Sequence, residues 1–188
     1  LTFASLYCDK KSTEAFAQLF TELFDTIFQV TGERLKLAPF YPDAKYRVVI
    51  MDGEVPQGLG FAEFLRSYNN PDISGLFTRD TCKLLKRCLK TCNPHFDRHI
   101  DELPMHIPRS VIKRLKSILD LSTQEEIDEW HEFCAARADP AIKNWYTQKL
   151  ANPWILPSVN KFLSGITSDD WDIMPIHSNY VETAHAGS

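Results

Sequence analysis

Residues 47–53 read Arg-Val-Val-Ile-Met-Asp-Gly, and this stretch decides the fold class. Its apolar run, 48–51, is continuous and too short for a helix, which is typical of a central parallel strand buried on both faces. Asp52 follows at the carboxyl end of that strand, where open α/β sheets bind their ligands. Gly53 then allows the backbone to turn away sharply. The stretch predicts a strand that presents a carboxylate to a crevice, with a helix N-cap as the other interpretation of Asp52.

An amphipathic helix is predicted on the amino-terminal side of this strand. Ser12 is the predicted N-cap, and residues 1–7, rich in β-branched and aromatic side chains, predict a further strand before it. Strand, helix and strand make a βαβ unit, and so an α/β sheet. The apolar positions that recur with the spacing of one buried helical face are Phe16, Leu19, Phe20, Leu23, Phe24 and Ile27.

Beyond a turn predicted at 69–72, the chain becomes helical. Pro108 stands at a first-turn position, residues 122–125 (Ser-Thr-Gln-Glu) have the pattern of a capping box, and Asp139 begins another helix ahead of Pro140. No strand signal separates these helices, so we expect an all-helical insertion over 104–165 that packs as its own lobe. The side chains predicted to face inward in its last helix are Ile142, Trp145 and Tyr146.

Composition indicates a globular chain whose basic residues are concentrated in one part. Of the 188 residues, 44% are hydrophobic, which is enough to bury a core and excludes disorder as the main state. The net charge is -4, yet residues 79–116 hold ten Lys and Arg against four acids, a net charge of +6. Such a stretch either contacts phosphates without reading sequence or forms a solvated helix face. The candidate DNA-binding residues in it are Lys83, Lys86, Arg87, Lys90, Arg98, Lys113 and Arg114.

The five cysteines are an odd number without the spacing of a secreted disulfide framework, and the sequence shows no signal peptide, which indicates a reduced, intracellular protein. Cys92 and His95 form a C-x2-H pair that could bind zinc. A structural zinc site normally joins two separated ligand pairs, so a buried thiol and a hydrogen-bonded imidazole form the alternative. Further zinc ligands would come from Cys88 and His99 nearby, or from His131 and Cys134 as a second pair.

Three motifs follow one another along the chain: VVIMDG at 48–53, CNPH at 92–95 and SNYVETAHA at 178–186. The third places Glu182 near the start of a predicted helix, where the helix dipole stabilises an acid. With the helix LYCDKKSTEAFAQLFTELFDTI before them and the helical insertion ahead of the last motif, this order resembles the catalytic core of Mutator-like transposases. It is most similar to fungal relatives that include the Kyakuja-Dileera-Zisupton type, and the resemblance covers almost the whole chain.

The resemblance implies an RNase H-like core with DDE-type chemistry, in which two metal ions cleave DNA and transfer strands. It makes Asp52 the second catalytic acid and Glu182 the third, both as ligands of Mg²⁺ or Mn²⁺, with Cys92 and His95 as a supporting motif. The first acid of the family lies on a strand upstream of the one that begins at residue 1, and Asp9 follows the wrong strand to replace it. The chain alone is therefore expected to be inactive.

The implied organisation is a core at 1–103, the helical insertion at 104–165, and the start of the last core helix at 166–188. The implied partner is DNA, both as transposon ends and as target. No membrane partner is implied, and the implied location is the nucleus. The full-length protein could form a homo-oligomer. Two other classes stay open: a transposon-derived module that binds DNA or protein without catalysis, and a small zinc-stabilised interaction domain. Zinc at one equivalent in the purified protein would favour the last.

Overall fold

The computed structural model describes residues 11–77 and 80–175. Two strands, β1 (Val49–Met51) and β2 (Leu89–Thr91), lie side by side in a parallel sheet. Parallel neighbours need a crossover connection, which α2 (Val55–Tyr68), α3 (Pro71–Ser74) and α4 (Thr81–Leu85) supply. The described residues thus form a helix-rich α/β structure with a small parallel sheet, which agrees with the predicted class at that level.

The helix predicted after Ser12 is present as α1 (Thr13–Thr31). The Ser12 hydroxyl accepts a hydrogen bond from the amide of Ala15 at 3.2 Å, so the predicted N-cap is confirmed. The helix ends at Gly32, whose φ of 72° is the left-handed conformation common at helix ends. The strand predicted at 1–7 lies outside the described residues.

The first two helices pack closely because of the glycines in α2. Phe20 of α1 meets the ring of Phe61 at 4.8 Å between ring centres. A Cβ atom at Gly60 would lie 2.7 Å from the carbonyl oxygen of Thr13, and one at Gly58 would lie 2.4 Å from the ring of Trp154. Glycine at these two positions therefore allows α1 to approach from one side and Trp154 from the other.

Within 11–77 and 80–175, no helix is long and apolar enough to cross a bilayer.

The second half of the described chain is helical apart from β2. The capping box lies one residue later than predicted: the Thr123 hydroxyl accepts from the amide of Glu126 at 3.2 Å, and the Glu126 carboxylate accepts from the amide of Thr123 at 3.1 Å. The helices are α5 (Asn93–Asp101), α6 (Arg109–Lys116), a 3₁₀ helix (Ser117–Asp120), α7 (Gln124–Ala135), α8 (Pro140–Ala151), α9 (Ile155–Val159) and α10 (Ser168–Ile173).

Residues 104–165 contain helices and no strand, as predicted, but they share one hydrophobic core with the sheet. Trp145 of α8 packs against Phe96 of α5, with 6.1 Å between ring centres. Helix α9 packs on β2, where the buried hydroxyls of Ser158 and Thr91 lie 2.7 Å apart. The expectation of a separately packed lobe is therefore wrong for this segment. The boundary at 104 stays a prediction.

Candidate active site at the carboxyl edge of the sheet

The structure brings Asp52 and His95 together at one edge of the sheet. Asp52 directly follows β1, and His95 lies in the first turn of α5, just after β2. Since β1 and β2 are parallel neighbours, both connections leave the sheet at the same edge. Nδ1 of His95 lies 3.2 Å from Oδ1 of Asp52, and the Asp52 side chain is 49% exposed against 13% for His95. An accessible carboxylate is thus backed by an imidazole that the protein largely encloses.

Gly53 provides the turn that frees Asp52 for this position. Its φ of 83° is left-handed, and a Cβ atom there would lie 2.7 Å from Cγ2 of Thr91 on the neighbouring strand. The sharp turn predicted at Gly53 is therefore confirmed. Helix α2 has Glu54, not Asp52, as its N-cap residue. The interpretation of Asp52 as a helix cap is removed, and its carboxylate is left for the edge of the sheet.

Cys92 supports this edge from inside the core. It is the N-cap residue of α5 and is fully buried, and its amide donates to the carbonyl of Met51 at 2.8 Å. That bond belongs to the pairing of Met51 with Thr91 at the carboxyl ends of the two strands. The C-x2-H motif therefore has one member in the core and the other, His95, against Asp52.

The sequence also suggested a zinc cluster, and the described part of the chain has no group of three or more His, Cys, Asp or Glu side chains placed to hold a metal ion. Cys88 is fully buried, and burial raises the pKa of its thiol well above the usual range, which opposes the thiolate that zinc needs. Nδ1 of His131 lies 2.7 Å from the hydroxyl oxygen of Tyr146. Cys134 is buried in α7. The predicted zinc ligands are thus not assembled within these residues.

Glu182 lies outside the described residues, as do Asp9 and the helix start predicted around 178–185. The predicted meeting of Glu182 with Asp52 therefore stays a prediction. What the structure does describe is the approach to that segment: α10 and residues up to 175 lie against the sheet, held there by Lys90 of β2.

Lys90 cannot be the phosphate contact that its charge suggested. Its side chain is enclosed, with 2% of the residue exposed. Its Nζ donates to the carbonyl oxygens of Trp171 at 3.2 Å and Met174 at 3.3 Å, and lies 4.5 Å from the centre of the Trp171 ring. Because an ammonium enclosed in this way cannot reach DNA, the prediction is wrong at this position. Lys90 instead fastens residues 168–174 to the sheet.

The other six candidate DNA-binding residues are at least partly exposed and are spread along three helices. They occupy α4 and its end (Lys83, Lys86 and Arg87), α5 (Arg98) and α6 (Lys113 and Arg114). Arg114 lies 3.8 Å from a carboxylate oxygen of Glu129, so part of its charge is already matched. The contact of this set with DNA stays a prediction.

A second buried cation, Lys149, was not predicted from the sequence. Ile142, Trp145 and Lys149 stand at i, i+3 and i+7 of α8, and all three are buried. The same periodicity that predicted the inward face of α8 therefore also contained Lys149. Because lysine is almost never fully buried without a partner, helical spacing alone does not predict a lysine on a buried face.

Comparison of the chain with family models, with curated proteins and with solved structures finds no match. Function is therefore inferred from the carboxyl edge of the sheet and the residues around it.

Lys90→Met is expected to loosen residues 168–174, because methionine keeps the buried stem but cannot donate to the two carbonyls. Hydrogen exchange at the α10 amides should rise by at least about tenfold, because two hydrogen bonds from a charged group are lost. Lys161→Met is the control, since its ion pair with Asp172 is on the surface and contributes little. Equal exchange in both variants would remove the fastening role of Lys90.

Proposed function

We propose that this chain is part of the catalytic domain of a DDE-type DNA transposase of the Mutator-like kind, with an RNase H-like core in which Asp52 is a metal ligand. The supporting observation is the Asp52 carboxylate, accessible at the end of a parallel strand and 3.2 Å from Nδ1 of His95. Carboxylates that bind metal ions are commonly held by a second group behind them. Here His95 is the second group behind the Asp52 carboxylate, so it is a positioning residue.

The Asp52 carboxylate is more exposed than the His95 imidazole, and this favours a metal-binding site over a metal-independent hydrolase. In a His-Asp pair that acts as a general base, the carboxylate lies behind and the imidazole faces the substrate. Here the carboxylate of Asp52 is the accessible partner, and His95 lies behind it. The pair is therefore arranged to present oxygen ligands rather than a basic nitrogen.

The chemistry of the donors suits Mg²⁺ or Mn²⁺. Mg²⁺ takes oxygen ligands and keeps several waters, so one exposed carboxylate from Asp52 and a second from Glu182 would fit it, whereas the Cys92 thiol is enclosed in the core. When bound, such ions activate the attacking water or 3′-hydroxyl and stabilise the leaving oxygen of a phosphodiester. The chain itself orients Asp52 through Gly53 and His95.

Asp52 and Glu182 are the two acids that the resemblance assigns in the sequence, and two carboxylates do not fix the positions of two ions. Positioning is what the ions contribute to an in-line displacement. We therefore expect this chain to bind divalent ions and DNA weakly and not to cut duplex DNA. DNA as partner, a nuclear location and self-association of the full-length protein belong to the same proposal.

Asp52→Asn is expected to weaken Mn²⁺ binding by about a hundredfold, because the amide keeps the shape of the side chain but not its negative charge. His95→Asn should weaken binding by about tenfold, the usual effect of losing a group behind a ligand. Free Mn²⁺ measured by electron paramagnetic resonance during a titration gives both affinities. Asp25→Asn, an exposed acid on α1, is the matched control. Unchanged affinity in Asp52→Asn would remove Asp52 as a ligand.

Nicking of a labelled duplex in Mg²⁺ or Mn²⁺ tests the same proposal at the level of activity. We expect no nicking by this chain. Metal-dependent nicking that Asp52→Ala abolishes would show that the first acid is present within the chain, and Asp9 would be the next residue to replace.

A further inference from the structure

Residues 165–174 run along the sheet from its amino end toward its carboxyl end. The amide of Gly165 donates to the carbonyl oxygen of Lys86 at 2.9 Å, and Lys86 lies three residues before β2. Further along, Oδ1 of Asp170 in α10 lies 3.8 Å from Nε of Arg47, which is two residues before β1. This segment thus begins beside the residues that lead into the two strands.

The next contact of this segment is made by Lys90, the middle residue of β2. Its Nζ donates to the carbonyl oxygens of Trp171 at 3.2 Å and Met174 at 3.3 Å. The contacts of the segment therefore advance along the strands as the chain advances. At Met174 the chain is directed toward the carboxyl edge of the sheet, where Asp52 lies.

Lys90 is the contact that fixes Met174 in place. It is enclosed by the protein, and its ammonium also lies 4.5 Å from the centre of the Trp171 ring. In the ion pairs that α10 makes with Arg47 and Lys161, the cation is exposed. Exposed pairs contribute little, whereas hydrogen bonds from an enclosed ammonium are strong. Lys90 therefore determines where the chain stands when it leaves α10.

The chain that follows is long enough to bring Glu182 to Asp52. Glu182 is eight positions after Met174 in the sequence, and it lies outside the described residues. Eight extended residues span at most about 29 Å. Lys90 pairs with Ile50, and Asp52 is two residues, about 7 Å, further along that strand. The residues up to Met174 therefore do not have to move for the two carboxylates to meet.

We propose that Lys90 is a positioning residue for Glu182, because it holds Met174 at the level of the sheet from which the following chain meets Asp52. That Glu182 is a metal ligand rests on the proposed function. A ligand on a chain that is not held in place has to be ordered when the metal ion binds, and this ordering weakens binding. By holding Met174 beforehand, Lys90 reduces the part of the chain that has to be ordered.

Titration of the whole chain with Mn²⁺, followed by electron paramagnetic resonance, tests this role in Lys90→Met, in Glu182→Gln and in the double variant. Glu182→Gln is expected to weaken binding by about tenfold, since the affinity of such sites depends on the number of ligand charges. Lys90→Met should weaken binding by about fivefold when Glu182 is present, and by less than about twofold in the chain that carries Glu182→Gln. Lys161→Met removes a surface contact of the same helix and is the matched control, with a change of less than about twofold expected.

An effect of Lys90→Met that is the same with and without the Glu182 carboxylate would overturn the proposal, because a general loosening of the sheet does not depend on Glu182. Equal affinities of Lys90→Met and Lys161→Met, with binding weakened by Glu182→Gln, would overturn it and leave the proposed function intact. If Glu182→Gln binds Mn²⁺ as well as the unchanged chain does, Glu182 is not a ligand. The proposed function then loses its second acid, and Lys90 has no ligand to position.

Trp171→Leu provides the same test if Lys90→Met does not fold. This substitution is at a half-buried position, keeps the main-chain carbonyls and removes the ring from the ammonium of Lys90. Binding of Mn²⁺ is expected to be about threefold weaker, again only when Glu182 is present. Equal weakening in the chain that carries Glu182→Gln would overturn the positioning role.

Discussion

Gly60→Ala is expected to lower the free energy of unfolding by about 1 to 3 kcal/mol, the usual range of overpacked core substitutions that force the backbone to shift. The added Cβ atom would lie 2.5 Å from Cβ of Phe16, 2.7 Å from the carbonyl oxygen of Thr13 and 2.9 Å from the amide nitrogen of Ala17. Two of these are backbone atoms, so rotation of a side chain cannot relieve the contact. Alanine is the better helix former by about 1 kcal/mol, but that gain is smaller than the cost of separating α1 from α2.

Urea unfolding followed by circular dichroism measures this effect. Glu63→Ala, at an exposed position one turn further along α2, is the control and should change the unfolding free energy by less than about 0.5 kcal/mol. If Gly60→Ala is as stable as the control, the close crossing of α1 and α2 is not present in solution.

The elements that could be predicted from the sequence are those with a local cause. Helix α1 follows from a buried stripe at helical spacing and from the Ser12 cap, and α8 follows from Asp139. β1 follows from a short apolar run. The strand end of β1 also predicted the place of Asp52, and the family resemblance implied His95 as a supporting residue.

The elements that could not be predicted depend on distant contacts. β2 has three residues with a lysine in the middle, and Lys90 is buried there because carbonyl groups of Trp171 and Met174, more than 80 positions later, accept its hydrogen bonds. Helix α2 contains Gly58 and Gly60, which weaken a helix pattern, and packing on α1 and Trp154 stabilises it. A sequence window around either element contains none of these partners.

Lys149→Met is expected to raise the free energy of unfolding at pH 7 and to change its dependence on pH. The ordinary lysine pKa is 10.5, and burial lowers that of Lys149 to about 8. The unfolded chain therefore holds this proton more tightly than the folded one. As pH falls from about 10.5 to about 8, the folded state loses stability relative to the unfolded state, and below that range the whole penalty is present. A shift of this size corresponds to a penalty on the order of 3 kcal/mol.

The difference between the two proteins is the quantity to measure, because other buried groups titrate in the same range. Burial raises the pKa of the thiols of Cys88 and Cys134, so the unfolded chain loses those protons first and stability falls as pH rises above about 9. These thiols are present in both proteins and cancel in the difference.

Urea unfolding at pH 7, 8, 9 and 10 should show an advantage of Lys149→Met that is largest at pH 7 and shrinks toward pH 10. The loss of the contacts that the ammonium makes with Gln148 and with the Trp145 ring sets a limit to the advantage. Lys143→Met on the same helix should show no such trend. A flat difference would mean that Lys149 has a counter-charge in solution.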